Sequence, residues 1–155
     1  MISVTSKSRY AVVALAELAR SGTNPIPIGQ VAERRRIPVQ FLEQLFSTLR
    51  RAGLLTSHRG MRGGYTLSRP AEEITVAEIA DAIEGQIFPM FCLEPSDHTC
   101  FQDSRCGLQG FWADVARAVQ DVFKRTTVAD LAARHRKMAP GKVVLSPEQL
   151  LSRLN

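Results

Sequence analysis

The sequence predicts a mainly α-helical protein with one small β-hairpin: a winged helix-turn-helix domain followed by a long helix suited to dimerisation. Three observations predict it. Residues 29–52 read as a short helix, a tight turn and an amphipathic helix with a polar outer face. A basic, Gly-rich hairpin follows directly. Farther on, Trp112, Val115, Val119, Val122 and Thr126 recur at alternating steps of three and four, a short heptad-like seam.

At 155 residues the chain is long enough to bury one real core and carry an appendage. No apolar run is long enough to span a membrane. The first twenty residues, MISVTSKSRYAVVALAELAR, have neither a secretory apolar region nor a small-residue cleavage site, so a cytoplasmic protein is expected. Net charge is +5, but it is unevenly placed. Residues 1–70 hold 11 Lys/Arg against 3 Asp/Glu, a balance of +8, whereas residues 71–155 hold 9 against 12, a balance of −3. A basic first half suggests a polyanionic partner for that half alone.

Taken in order, Thr5 or Ser6 can cap a first helix running to about Ser21, where Gly22 and then Asn24-Pro25 break it. Tyr10, Ala14, Leu15 and Leu18 give it an apolar stripe. Ile26–Ile28 leads into a second helix, Gly29–Arg35. The turn Arg35-Arg36-Ile37 precedes Pro38, which is suited to a first helical position. Arg36 occupies the place where such turns often carry Gly. In the helix Pro38–Ala52, Leu42, Leu45, Phe46 and Leu49 share one side. The other side carries Gln40, Gln44, Ser47 and Arg51, flanked by Glu43 and Thr48. Amides, a hydroxyl and a guanidinium without large apolar groups can read base edges in a DNA major groove. Arg34, Arg35 and Arg36, at the end of the preceding helix, are placed to meet phosphates; a plain solvated turn explains them equally well.

Gly53 ends that helix. Leu54–Ser57 and Tyr65–Ser68 read as two strands around His58-Arg59-Gly60-Met61-Arg62-Gly63-Gly64, the wing. Arg59 and Arg62 at its tip suit a minor groove, where narrow segments concentrate negative potential. Thr75-Val-Ala-Glu78 has capping-box spacing and predicts a helix from Val76 to about Glu84. A second long helix is expected from Leu108–Phe111 to about Arg125 and bears the heptad-like seam. Thr127 starts one more short helix.

Between the two long helices lie all three cysteines, Cys92, Cys100 and Cys106, separated by seven and five residues. An odd number of cysteines in a reducing compartment argues against structural disulfides and favours a metal site or a reactive thiol. Three thiolates suit an iron–sulfur cluster or zinc. On spacing alone cluster, zinc and unligated thiols stand on similar footing. Phosphate loop, nucleophile elbow and acid/base pair are all missing from the sequence, so an enzyme is not expected.

Several stretches together resemble the IscR–NsrR family of bacterial winged-helix regulators. They are TSKSRYAVVALAELA, FLEQLFSTLRRAGLL, SHRGMRGGYTLSRP and ITVAEIADAIEG, and the similarity runs through residues 1–137. The resemblance implies a homodimer on an imperfect palindrome of double-stranded DNA, with the Gln40–Arg51 helix in the major groove and Arg59 in the minor groove. It also implies a 2Fe–2S or 4Fe–4S cluster on Cys92, Cys100 and Cys106. Two departures concern the fourth ligand: Gln109 replaces the family's downstream His, and Ser8 stands where other members carry a carboxylate. His98 is the nearest candidate, with Asp97, Asp103 and Glu33 behind it.

The expected organisation is a DNA-binding domain over 1–85, a cysteine-bearing segment over 86–110, a dimerisation helix and short helix over 111–137, and a tail over 138–155. The expected function is transcription regulation, with DNA affinity controlled by a cluster that senses redox state, nitric oxide or iron–sulfur status. The runner-up is a cluster-free thiol-redox or zinc-containing DNA-binding regulator of the same family, with or without an enzyme partner.

Overall fold

The computed structural model describes residues 5–85 and 108–136. Six helices and one antiparallel hairpin follow in the order α1 (Ser6–Arg20), α2 (Ile28–Arg35), α3 (Val39–Arg51), β1 (Leu55–His58), β2 (Gly64–Leu67), α4 (Val76–Glu84), α5 (Leu108–Arg125) and α6 (Val128–Arg136). The winged helix-turn-helix expected from the sequence is present. The cysteines, His98, Asp97, Asp103 and the 138–155 tail lie outside the described residues.

Local chemistry sets the helix starts. Thr5 accepts a hydrogen bond from the Lys7 N–H at 3.2 Å and caps α1. At α4 the capping box is complete: Glu78 N–H donates to Thr75 Oγ1 at 3.2 Å, and Thr75 N–H donates to Glu78 Oε2 at 2.9 Å. Asp130 repeats the arrangement with Thr127 at α6. Pro38 stands one position outside the helix it was expected to open. Its ψ of 133° is extended, so α3 begins at Val39, while the Pro38 carbonyl accepts the Leu42 N–H at 3.1 Å. Both strands are also displaced by one residue from expectation. Leu54 is engaged in ending α3, its N–H bonded to the Leu49 carbonyl at 2.9 Å, so pairing starts at Leu55 opposite Leu67.

One core joins α1, α2, α3, the hairpin, α4 and α6. Leu15, Leu18, Val31, Leu42, Phe46, Leu49, Ile74, Ile79 and Val128 are its innermost side chains. α6 packs against α1, and Val128 and Ala132 are buried there. Chain reversal between α5 and α6 is pinned to the start of α4: Val76 N–H donates to the Thr126 carbonyl and Val128 N–H to the Ile74 carbonyl, both at 2.9 Å. α5 packs on α4 and buries Ala116. Its seam stays largely outside the core, with Trp112 38% and Val122 43% exposed and Val115 and Val119 half-buried.

Candidate nucleic-acid interface

α3 separates its two faces cleanly. Phe41, Leu42, Leu45, Phe46 and Leu49 are buried, while Gln40, Glu43, Gln44, Ser47 and Arg51 are exposed. These five and half-buried Thr48 line one shallow surface. The stripe expected from 3.6-residue periodicity therefore faces solvent as a unit. Within it, the Thr48 hydroxyl donates to the Gln44 carbonyl at 3.2 Å, which occupies its proton inside the helix. Among the described residues the Gln40, Gln44 and Ser47 side chains make no hydrogen bond, so their polar ends have the chemistry that base edges accept, and Arg51 supplies a cation at the far end.

The wing is fixed to this helix by packing and by backbone pairing. Tyr65 meets Phe46 edge-on, with ring centroids 4.9 Å apart. Tyr65 also exchanges two backbone hydrogen bonds with Ile26, at 2.9 and 3.1 Å, so the hairpin is tied to the segment that precedes α2. Gly64 makes this approach possible, because a Cβ there would stand 2.3 Å from the Ile26 backbone. His58 Nε2 and Thr66 Oγ1 pair across the two strands at 2.9 Å. Arg59 and Arg62 are exposed beyond these anchors, together with Met61.

The arginines at the end of α2 are engaged in a way the sequence reading missed. Glu17 of α1 is 4% exposed, and its carboxylate accepts Arg34 Nη1 at 3.1 Å, Arg35 Nη2 at 2.5 Å and Arg20 Nη1 at 3.4 Å. Burial alone would raise the Glu17 pKa. The Arg34 hydrogen bond and the charges of Arg35 and Arg20 outweigh it and hold the carboxyl below the usual carboxylate range. Arg35 is only 10% exposed and ties α2 to α1, whereas Arg34 is 51% exposed and keeps a solvent face. A signal for Glu17 was available: it falls on the apolar stripe of α1, between Ala14 and Leu18, where an acid needs a partner.

A second carboxylate organises the other end of α1. Glu84, the last residue of α4, accepts hydrogen bonds from the Ser8 hydroxyl at 2.7 Å and from the Thr5 hydroxyl. Ser8 is thus a buried structural hydroxyl joining α1 to the point where the chain leaves α4. Glu33 is exposed. Among the described residues, no three His, Cys, Asp or Glu side chains gather where a metal ion could sit. No helix among them is long and apolar enough to cross a membrane.

The family model for Rrf2, described as an iron-dependent transcriptional regulator, matches residues 4–134. The HTH-type transcriptional regulator IscR of Vibrio campbellii is 36% identical over 131 residues, covering 84% of this chain and 77% of the relative. Among solved structures, CymR, the global cysteine regulator of B. subtilis, superposes with a TM-score of 0.73 at 32% identity, covering 86% of this chain and 98% of that one. IscR of T. potens superposes with a TM-score of 0.69 at 32% identity, covering 90% and 93%. The polar face of α3, the anchored basic wing and these similarities lead to one assignment: the chain belongs to the Rrf2 family and is a DNA-binding transcriptional regulator, not an enzyme.

Proposed function

We propose that this regulator binds an imperfect palindrome as a homodimer and that an iron–sulfur cluster on Cys92, Cys100 and Cys106 sets its DNA affinity. The observation carrying the DNA half is the exposed Gln40–Arg51 stripe beside a wing held in place by Tyr65. In a homodimer, two such units read two half-sites. The α5 seam, apolar and largely outside the core, supports pairing between subunits.

The donor set fits a cluster in its chemistry. Three thiols are soft ligands preferred by iron–sulfur centres, and His98, Asp97 and Asp103 add nitrogen and oxygen donors in the same segment. Cys92, Cys100 and Cys106 would hold such a cluster, and where no fourth side chain joined them it would supply an iron able to react with nitric oxide, oxygen or a small thiol. The protein's own part is transmission. The segment starts after α4 and ends at α5. α4 is bound to α1 through Glu84, Ser8 and Thr5, and it packs on α3. A change across residues 86–107 therefore acts on the base-reading unit through α4 and on the pairing helix through α5. DNA affinity in the two states need differ by only ~1–3 kcal/mol.

Anaerobically purified protein should show visible absorbance with matched iron and sulfide. Cys92→Ala, Cys100→Ala and Cys106→Ala should each remove it and shift DNA affinity by about tenfold or more. Unchanged cluster content and unchanged affinity in all three variants would exclude the mechanism. The likeness to Staphylococcus aureus CymR, solved in an oxidized form and superposing with a TM-score of 0.67 at 31% identity, supports a second reading in which the same thiols act without a cluster. Colourless protein whose DNA binding responds to thiol oxidation, or protein that carries zinc, would select that reading.

A further inference from the structure

The helix-turn-helix carries three consecutive arginines, and the fold uses each differently. Arg35 is packed against Glu17, and Arg34 shares the same carboxylate. Arg36 is exposed, and among the described residues its side chain makes no hydrogen bond or ion pair. Yet its backbone is the one non-glycine there with positive φ, at 52°.

Two helix ends in this protein share one hydrogen-bond pattern. At the end of α3, Gly53 N–H donates to the Arg50 carbonyl at 3.0 Å and Leu54 N–H to the Leu49 carbonyl at 2.9 Å, with Gly53 at φ 75° and Leu54 buried. At the end of α2, Arg36 N–H donates to the Glu33 carbonyl at 3.3 Å and Ile37 N–H to the Ala32 carbonyl at 2.9 Å, with Ile37 buried. This is the Schellman arrangement twice, and its left-handed position favours glycine. α3 meets that demand with Gly53; α2 carries a long cationic side chain in a strained backbone. The C-terminal dipole of α2 is already complemented by Arg34 and Arg35 in its last turn. Folding therefore gains nothing evident from the Arg36 side chain, and a strained residue of this kind is a reason to look for a use outside folding.

We propose that Arg36 is a DNA-phosphate anchor, a fixed positive charge at the entrance of the base-reading helix. The proposal rests on α3 being that helix. Gln40, the first residue of the exposed stripe, is four residues farther on, so the two Cα atoms lie within ~14 Å of each other. The major groove is ~12 Å wide, which puts its flanking phosphates within reach of an arginine at this end of α3. Arg34 and Arg35 are held by Glu17, so Arg36 is the arginine of the three whose charge has no partner in its own described fold.

The test compares Arg36→Gly, Arg36→Ala and Arg36→Lys in the full chain, using thermal melting and titration of a duplex that the wild-type protein selects from a random-sequence pool. Arg36→Gly should melt at a higher temperature and yet bind the duplex about three- to tenfold more weakly, with the salt slope of log K reduced by about one. Arg36→Ala should show the same binding loss without the gain in melting temperature, and Arg36→Lys should retain the wild-type slope. Sequence preference should not change. Wild-type affinity and slope in both Arg36→Gly and Arg36→Ala would overturn the proposal, as would a changed base preference, which marks a base contact. Failure of the wild-type protein to enrich any duplex would instead overturn the reading of α3 on which the proposal depends.

Discussion

The winged unit and α5 handle their apolar residues in opposite ways. In the winged unit, Leu42, Leu45, Phe46 and Leu49 of α3 close against Leu15 and Leu18 of α1 and Val31 of α2, and every one of them is buried. In α5, Ala116 is buried, whereas Phe111, Trp112 and Val122 are exposed and the Phe111 and Trp112 rings stack edge-on, 5.1 Å apart. The first region completes its core within one chain. The second leaves apolar side chains exposed among the described residues, and in the proposed homodimer a symmetric copy of the same stripe covers them. Stability of the first should be a property of the chain, and stability of the second a property of its concentration.

The comparison can be broken most directly in the core. Phe46→Ala should cost about 3–5 kcal/mol and loosen the wing through Tyr65, read as a lower urea midpoint by circular dichroism. A loss below ~1 kcal/mol would mean that the wing and α3 do not share one core. The next largest effect should come from α5. The double variant Trp112→Ser/Val122→Glu should weaken self-association at least about a hundredfold, close to 3 kcal/mol, while leaving helix content intact. Analytical ultracentrifugation reads it, and a variant that stays dimeric would remove α5 from the interface. The smallest effect concerns the ion cluster and belongs to the winged unit alone. Because the native-state pKa of Glu17 is lowered, its stabilisation is complete above the ordinary carboxylate range and is lost as pH falls through the lowered value. Glu17→Gln should thus cost about 2 kcal/mol at neutral pH and flatten the acid limb of melting temperature against pH. Equal acid sensitivity in both proteins would assign that limb to other carboxylates.

What the sequence made legible was what depends on neighbours along the chain. α4 and α5 have the bounds expected, because the Thr75–Glu78 cap and the seam of α5 are local signals. The polar stripe of α3 was legible for the same reason: helical periodicity alone assigns its faces. Arrangements between distant segments were not legible. Glu17 meets Arg34 and Arg35 only because α1 and α2 cross, and no spacing rule links positions on two helices. The pairing of Tyr65 with Ile26 likewise depends on how the hairpin folds back over the entry to α2. Small end-effects follow from conformations a pattern does not encode, such as the extended Pro38 before α3 and the capture of Leu54 by the end of that helix.

The two backbone hydrogen bonds between Tyr65 and Ile26 have a mechanical consequence. They tie the base of the hairpin to the entry of α2, which limits the span between the Gln40–Arg51 stripe and Arg59 as the frame of a caliper limits its jaws. A tool that does not flex transfers any misfit to the object being gauged. If the stripe and Arg59 enter neighbouring grooves as proposed, a duplex whose grooves are spaced differently from the jaws would have to bend or twist to meet them, and the work would depend on the stiffness of base steps the protein never touches.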